Sequence, residues 1–174
     1  MDFNPEPGCA ICNILSGGVD DEVVLETNYW RAVLAPDQMY LGRMFLTSRQ
    51  HVGETEDLGF EAWMELRHVI WRLRGMAVKG LGATHMTHAF LMNNAYAEDP
   101  PCPHVHAHVR PRYRDRQIID GVVFSDSAFG SHHKRGPTGD AGNNRREDAF
   151  SSGATLRCEV VFAVDHLGPP RSYF

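Results

Sequence analysis

The segment His104-Val105-His106-Ala107-His108-Val109 alternates strictly between an imidazole and a small apolar side chain. On a β-strand successive side chains point to opposite faces, so the three histidines share one face while Val105, Ala107 and Val109 turn to a core. Core packing does not explain such a row, because stacked imidazoles on a sheet need partners; a solvated polar face is the simpler alternative. The row supports three separate jobs. A neutral imidazole can attack an electrophilic phosphorus, provided an acceptor fixes its other ring nitrogen. A neighbouring imidazolium can hydrogen-bond the phosphoryl oxygens as charge develops there. A third histidine can bind a metal.

The surroundings read as α+β. Short extended stretches run Val23-Val24-Leu25, Trp30 to Leu34 and Met44 to Thr47, the first two separated by a turn at Glu26-Thr27-Asn28. Thr55 is placed to cap a long helix with Glu56 and Asp57 in its first turn. Leu58, Trp63, Leu66, Val69, Ile70, Leu73, Met76 and Ala77 then describe one apolar stripe, and Gly80 and Gly82 stop it. Period-two alternation returns from His85 to Asn94 and, after a proline-rich loop, from His104 to Arg110, where Pro111 closes the strand. The order β-β-β-α-β-β predicts an antiparallel sheet of about five strands covered by one long helix. Residues 126–174 read as an extension to a domain over 1–125, with a mobile loop at 130–153 and an extra strand at 155–164.

Composition narrows the function. The 174 residues are 43% hydrophobic and 22% charged, a globular balance. A net charge of −5 supplies no basic surplus for counterion release, so nucleic-acid binding is not expected. No apolar run approaches the roughly 18 residues of a membrane helix, and Met1-Asp2-Phe3-Asn4 does not read as a leader, so a cytoplasmic protein is expected. Cys9-x-x-Cys12 reads as a metal half-site or a redox pair. A redox motif wants a strand before it, whereas the eight residues preceding Cys9 include two prolines and a glycine, which favours metal; two ordinary thiols near a terminus remain the alternative.

The run His104 to Tyr113 closely resembles the signature of the histidine triad (HIT) family, and Leu41 to Val52 looks like that family's segment upstream of its helix. Cys9-x-x-Cys12 is similar to the amino-terminal pair of its zinc-binding bacterial members. The resemblance covers about residues 9–125. It implies that His106 is the nucleophile, taking a nucleotidyl group, and that His108 hydrogen-bonds the phosphate. Asn93, eleven residues before His104, matches a substrate-contacting asparagine. It further implies one structural zinc per chain on Cys9, Cys12, His51 and His104, a closed Cys₂His₂ shell, and a homodimer joined through its sheets. A histidine at position 108, where nucleotidyltransferases carry glutamine, favours hydrolysis.

Departures from the pattern bear on the substrate. The Gly-Gln-Ser/Thr that usually precedes the triad falls on Asp99, Pro100 and Pro101, so its leaving-group hydroxyl is missing. A ribose-binding acid falls on Ala35, with Asp37 as its substitute. Arg43 replaces a histidine and Ser48 a proline. The leading expectation is a nucleotidyl or phosphate-ester hydrolase of the phosphoramidase or dinucleoside polyphosphate hydrolase type. The alternative is a zinc-stabilised nucleotide-binding or interaction module with little turnover. His68, His85, His88, His132, His133, His166 and Cys102 receive no role, Trp30, Trp63 and Trp71 are core or interface candidates, and Arg110 and Arg112 stay undecided between surface charge and phosphate contact.

Overall fold

The computed structural model describes residues 5–18, 22–119 and 121–130. The strand expected at 155–164 and nearly all of the loop at 130–153 lie outside the described residues. A one-turn helix α1 (Ala10–Asn13) continues into a wider turn, Ile14–Gly18. Strands β1 (Val23–Glu26), β2 (Trp30–Leu34) and β3 (Met44–Ser48) precede helix α2 (Phe60–Gly80), followed by β4 (His85–Phe90) and β5 (His106–Arg112). Five strands form one antiparallel sheet in the order β1-β2-β3-β5-β4, and β6 (Gln117–Ile119) and β7 (Val122–Phe124) make a separate hairpin. The α+β class and the five-stranded sheet under a long helix are as the periodicities predict.

Three boundaries differ. Thr55 does not cap α2: Thr55–Asp57 forms a 3₁₀ turn, Leu58 and Gly59 turn extended, and the helix starts at Phe60. Leu58 reaches the core from that extended link, at 6% exposure. The buried stripe of α2 is Ala62, Leu66, Val69, Leu73, Met76 and Ala77, a series of three- and four-residue steps that tracks 3.6 residues per turn. Trp63 stands one residue off that series and is exposed. The small Ala62 leaves room for Trp30, whose indole N–H donates to the Ala62 carbonyl at 2.8 Å.

The histidine strand begins at His106 and runs through Pro111 to Arg112. Pro111 fits because β3 ceases to pair at Val109, leaving Met86 on β4 as its only strand neighbour. β4 ends at Phe90, so Asn93 lies in an exposed turn beyond it rather than on the strand.

The sheet's two faces differ as the alternation requires. Ala32, Leu46 and Ala107 stand in register and join Val105, Val109 and the α2 stripe in one core. Arg31, Thr47 and His106 form a matching row on the other face, followed by Val33, Phe45 and His108. Glu65 of α2 ties helix to sheet by accepting from the Thr27 hydroxyl and the Tyr29 amide, both at 2.8 Å. Leu73 is fully buried, so Leu73→Ala should destabilise the protein by about 2–5 kcal/mol in denaturant unfolding.

Candidate active site and metal centre

Two extended segments bring the histidines of the triad and His51 together. The Ser48 amide donates to the Val105 carbonyl at 3.0 Å, and the Val105 amide donates to the Val52 carbonyl at 2.8 Å. These bonds hold His104, just ahead of β5, against the stretch that follows β3. His104 is 1% exposed. Its Nε2 lies 2.8 Å from the Ser48 carbonyl oxygen, which can only accept, so Nε2 carries the proton and Nδ1 keeps its lone pair.

That lone pair faces a cluster. Cys9 Sγ, Cys12 Sγ, His51 Nδ1 and His104 Nδ1 all lie within 4.8 Å of one another. Cys9 Sγ is 3.4 Å and Cys12 Sγ 3.5 Å from His104 Nδ1, Cys12 Sγ is 3.4 Å from His51 Nδ1, and the two Nδ1 atoms are 3.2 Å apart. Tetrahedral zinc with ordinary bond lengths has S–N edges of about 3.5 Å and N–N edges of about 3.3 Å. The donor set therefore fits a zinc ion with no position left open. Burial pushes the metal-free Cys12 thiol up to about 11, and burial also pushes His104 down to about 4, leaving a neutral imidazole suited to ligation. α1 presents the thiols: Cys9 is its N-cap, and the Cys12 amide donates to Cys9 Sγ.

His106 is fixed by the residue two before it. Its Nδ1 lies 2.8 Å from the His104 carbonyl oxygen, so by the same reasoning Nδ1 is protonated and Nε2 offers its lone pair. The His106 ring adjoins a cleft of about 320 Å³. Ile11, Ile14 and Leu15 of the amino-terminal segment form one wall, and Val33, Leu34, Pro36 and Phe45 form the other, with Arg31 and Thr47 beside His106. The cleft is apolar except near the imidazole. That is the environment of a flat aromatic or heteroaromatic ligand joined to a polar group.

His108 lies 5.4 Å from His106 between ring centroids and meets Phe45 edge-on at 5.0 Å. Burial first, then His106, Arg110 and Arg43, push it down to about 4. At neutral pH it is an uncharged donor, not the imidazolium that the alternation admits. Asp37, next to cleft-lining Pro36, binds Arg43 Nη1 at 2.8 Å and caps the Met39 amide. Asn93 is not among the residues that line the cleft.

The positioning role of Ser48 is legible in sequence only as a departure from a family pattern, because the group used is its backbone carbonyl. The apolar wall from Ile11 to Leu15 likewise carries no local signal, since one short turn supplies it.

No family model and no curated protein matches the sequence. Solved structures do resemble it in shape. A Zn-bound histidine triad family protein from Mycobacterium smegmatis is 22% identical, with 89% of this chain and 94% of that one covered at a TM-score of 0.53. A hypothetical histidine triad nucleotide-binding protein from Sulfolobus tokodaii strain7 is 15% identical, with 90% and 92% covered at 0.60. A HIT family member from Bacillus subtilis is 18% identical, with 62% and 75% covered at 0.53. With its alternating histidines on the strand beside the cleft, the chain has the fold of the histidine triad proteins.

Proposed function

We propose that the protein hydrolyses nucleoside phosphate derivatives through a covalent nucleotidyl-histidine intermediate on His106. The observation that carries this reading is the 2.8 Å hydrogen bond from His106 Nδ1 to the His104 carbonyl, beside an apolar cleft. That bond presents Nε2 as a preoriented nucleophile. The nucleobase occupies the apolar walls, and Nε2 forms a bond to phosphorus as the bond to the leaving group breaks. Water then cleaves the N–P bond and restores the imidazole. His108 donates to the phosphoryl oxygens, while Asp37 and Asn93 are the candidate contacts to the rest of the nucleotide. The nucleotide-binding name of the Sulfolobus tokodaii neighbour is in keeping with this reading.

In the same reading one zinc ion per chain binds Cys9, Cys12, His51 and His104 and is structural: it pins the amino-terminal wall of the cleft to the segment before β5. Thiolate ligands suit the reducing conditions of a cytoplasmic protein. No helix among the described residues is long and apolar enough to cross a membrane. The protein acts as a homodimer, assembled where β4 ends the sheet and where α2 exposes Phe60, Trp63, Met64 and Trp71. A second reading, a zinc-stabilised nucleotide-binding module with little turnover, is favoured by one observation: Asp99, Pro100 and Pro101 supply no hydroxyl for the leaving group.

Four measurements test these assignments. His106→Ala should lower nucleotide hydrolysis at least about a thousandfold against a panel of adenosine phosphoramidates and dinucleoside polyphosphates; binding without turnover in the wild type would support the second reading instead. Metal analysis should give about one zinc per chain, and Cys9→Ser should lower both zinc content and melting temperature. Because the free Cys12 thiol sits near 11, zinc binding displaces its proton, so competitive chelation should show tighter zinc at pH 8 than at pH 6. Light scattering should return the mass of two chains, with Trp71→Glu shifting the protein toward one.

A further inference from the structure

Within its apolar walls the cleft beside His106 carries three polar side chains: Arg31, Thr47 and His106 itself. Two of them have their protons committed elsewhere. The Thr47 hydroxyl donates to the Arg31 carbonyl at 3.2 Å, and His106 Nδ1 donates to the His104 carbonyl at 2.8 Å. The side-chain donors left for a ligand belong to Arg31.

Arg31 is poorly matched by the protein around it. Its side chain is largely buried, at 15% exposure. Among the described residues its side-chain hydrogen bond is a long one, from Nη1 to the Leu15 carbonyl at 3.4 Å. Nε is buried without a hydrogen-bond partner. The Glu26 carboxylate, opposite Arg31 across the β1–β2 pair, stays 3.9 Å from Nε and lies nearer to Arg49, at 3.3 Å. A guanidinium keeps its charge and all five N–H groups, so a buried one calls for acceptors. A ligand that brings acceptors to this wall supplies them.

The register shows which part of a nucleotide meets Arg31. Arg31, Thr47 and His106 stand in one row on the open face, on β2, β3 and β5. Two strand spacings separate Arg31 from His106, about 10 Å between Cα atoms. With phosphorus held at His106, that distance suits the far edge of the base and not the attacked phosphate. Val33, two residues along β2, offers on the same face an apolar surface for the base to lie against. A guanidinium pairs with the adjacent acceptors O6 and N7 of guanine; adenine replaces that oxygen with an amine, itself a donor.

We propose that Arg31 reads the base, and that the natural substrate is a nucleotide of a 6-oxopurine, guanine or hypoxanthine, in preference to adenine. This rests on the reading of His106 as the nucleotidyl acceptor and narrows it to a substrate class.

Calorimetric titration of the purified full chain with GMP, IMP and AMP reads the preference directly. GMP and IMP should each bind at least about tenfold more tightly than AMP, the scale of one bidentate base contact. Arg31→Met should bring the three affinities together, and Arg31→Lys, which keeps a charged donor, should retain part of the difference. AMP binding as tightly as GMP and IMP in the wild type would overturn the assignment while leaving His106 as the nucleotidyl acceptor. So would a preference for GMP that IMP does not share, because those two differ only at C2, away from the O6–N7 edge. An equal loss for all three nucleotides in Arg31→Met would also overturn it, by making Arg31 a support for the Leu15 wall alone. Failure of the wild type to bind any nucleotide would remove the reading of His106 together with that of Arg31.

Discussion

His104 is the residue on which both halves of the site depend, because it is committed at three atoms. Its Nε2 is held by the Ser48 carbonyl, its Nδ1 faces Cys9, Cys12 and His51, and its own carbonyl orients His106. The side chain thus belongs to the Cys/His cluster, and the backbone carbonyl fixes the His106 ring. Two peptide units and one hydrogen bond join the cluster to the His106 ring. Burial reinforces the arrangement by keeping the His104 imidazole neutral, the form that can ligate.

The pairing of β3 with β5 carries that local order across the sheet. Thr47 opposes His106, Leu46 opposes Ala107 and Phe45 opposes His108. A slip of one residue would send every imidazole into the α2 core and Val105, Ala107 and Val109 into the cleft, so the buried face enforces the register. The same register sets the order of polar groups along the strand: the Cys/His cluster at His104, then His106, His108 and Arg110. The apolar wall belongs to this design too. Cys9 and Cys12 are contiguous with Ile11, Ile14 and Leu15, so residues that hold the cluster also position one side of the cleft.

Much of this was legible in the residues. Strict alternation placed the imidazoles of His106 and His108 on one face, and the helical stripe found α2 with Trp63 misassigned, a 100° step from Ala62, and Leu58 reaching the core from outside the helix. Helix and strand ends were less legible. Leu58 and Gly59 interrupt the expected first turn, and Pro111 stays within β5, because tertiary neighbours decide those positions. The ionisation of His108 was illegible for the same reason: burial comes first among the causes that lower its pKa, ahead of His106, Arg110 and the sequence-distant Arg43.

The chain's own alternation and spacing determined the α+β class, the shared face of His106 and His108, and the pairing of Cys9 with Cys12, because side-chain direction on a strand or helix is a local property. Only the tertiary structure brought His51 and His104 within 3.2 Å at Nδ1, made Ser48 a proton-fixing acceptor and set an apolar cleft beside His106. Those are relations between atoms far apart in sequence. They arise only once the sheet register and the anchored amino-terminal turn bring them into one space.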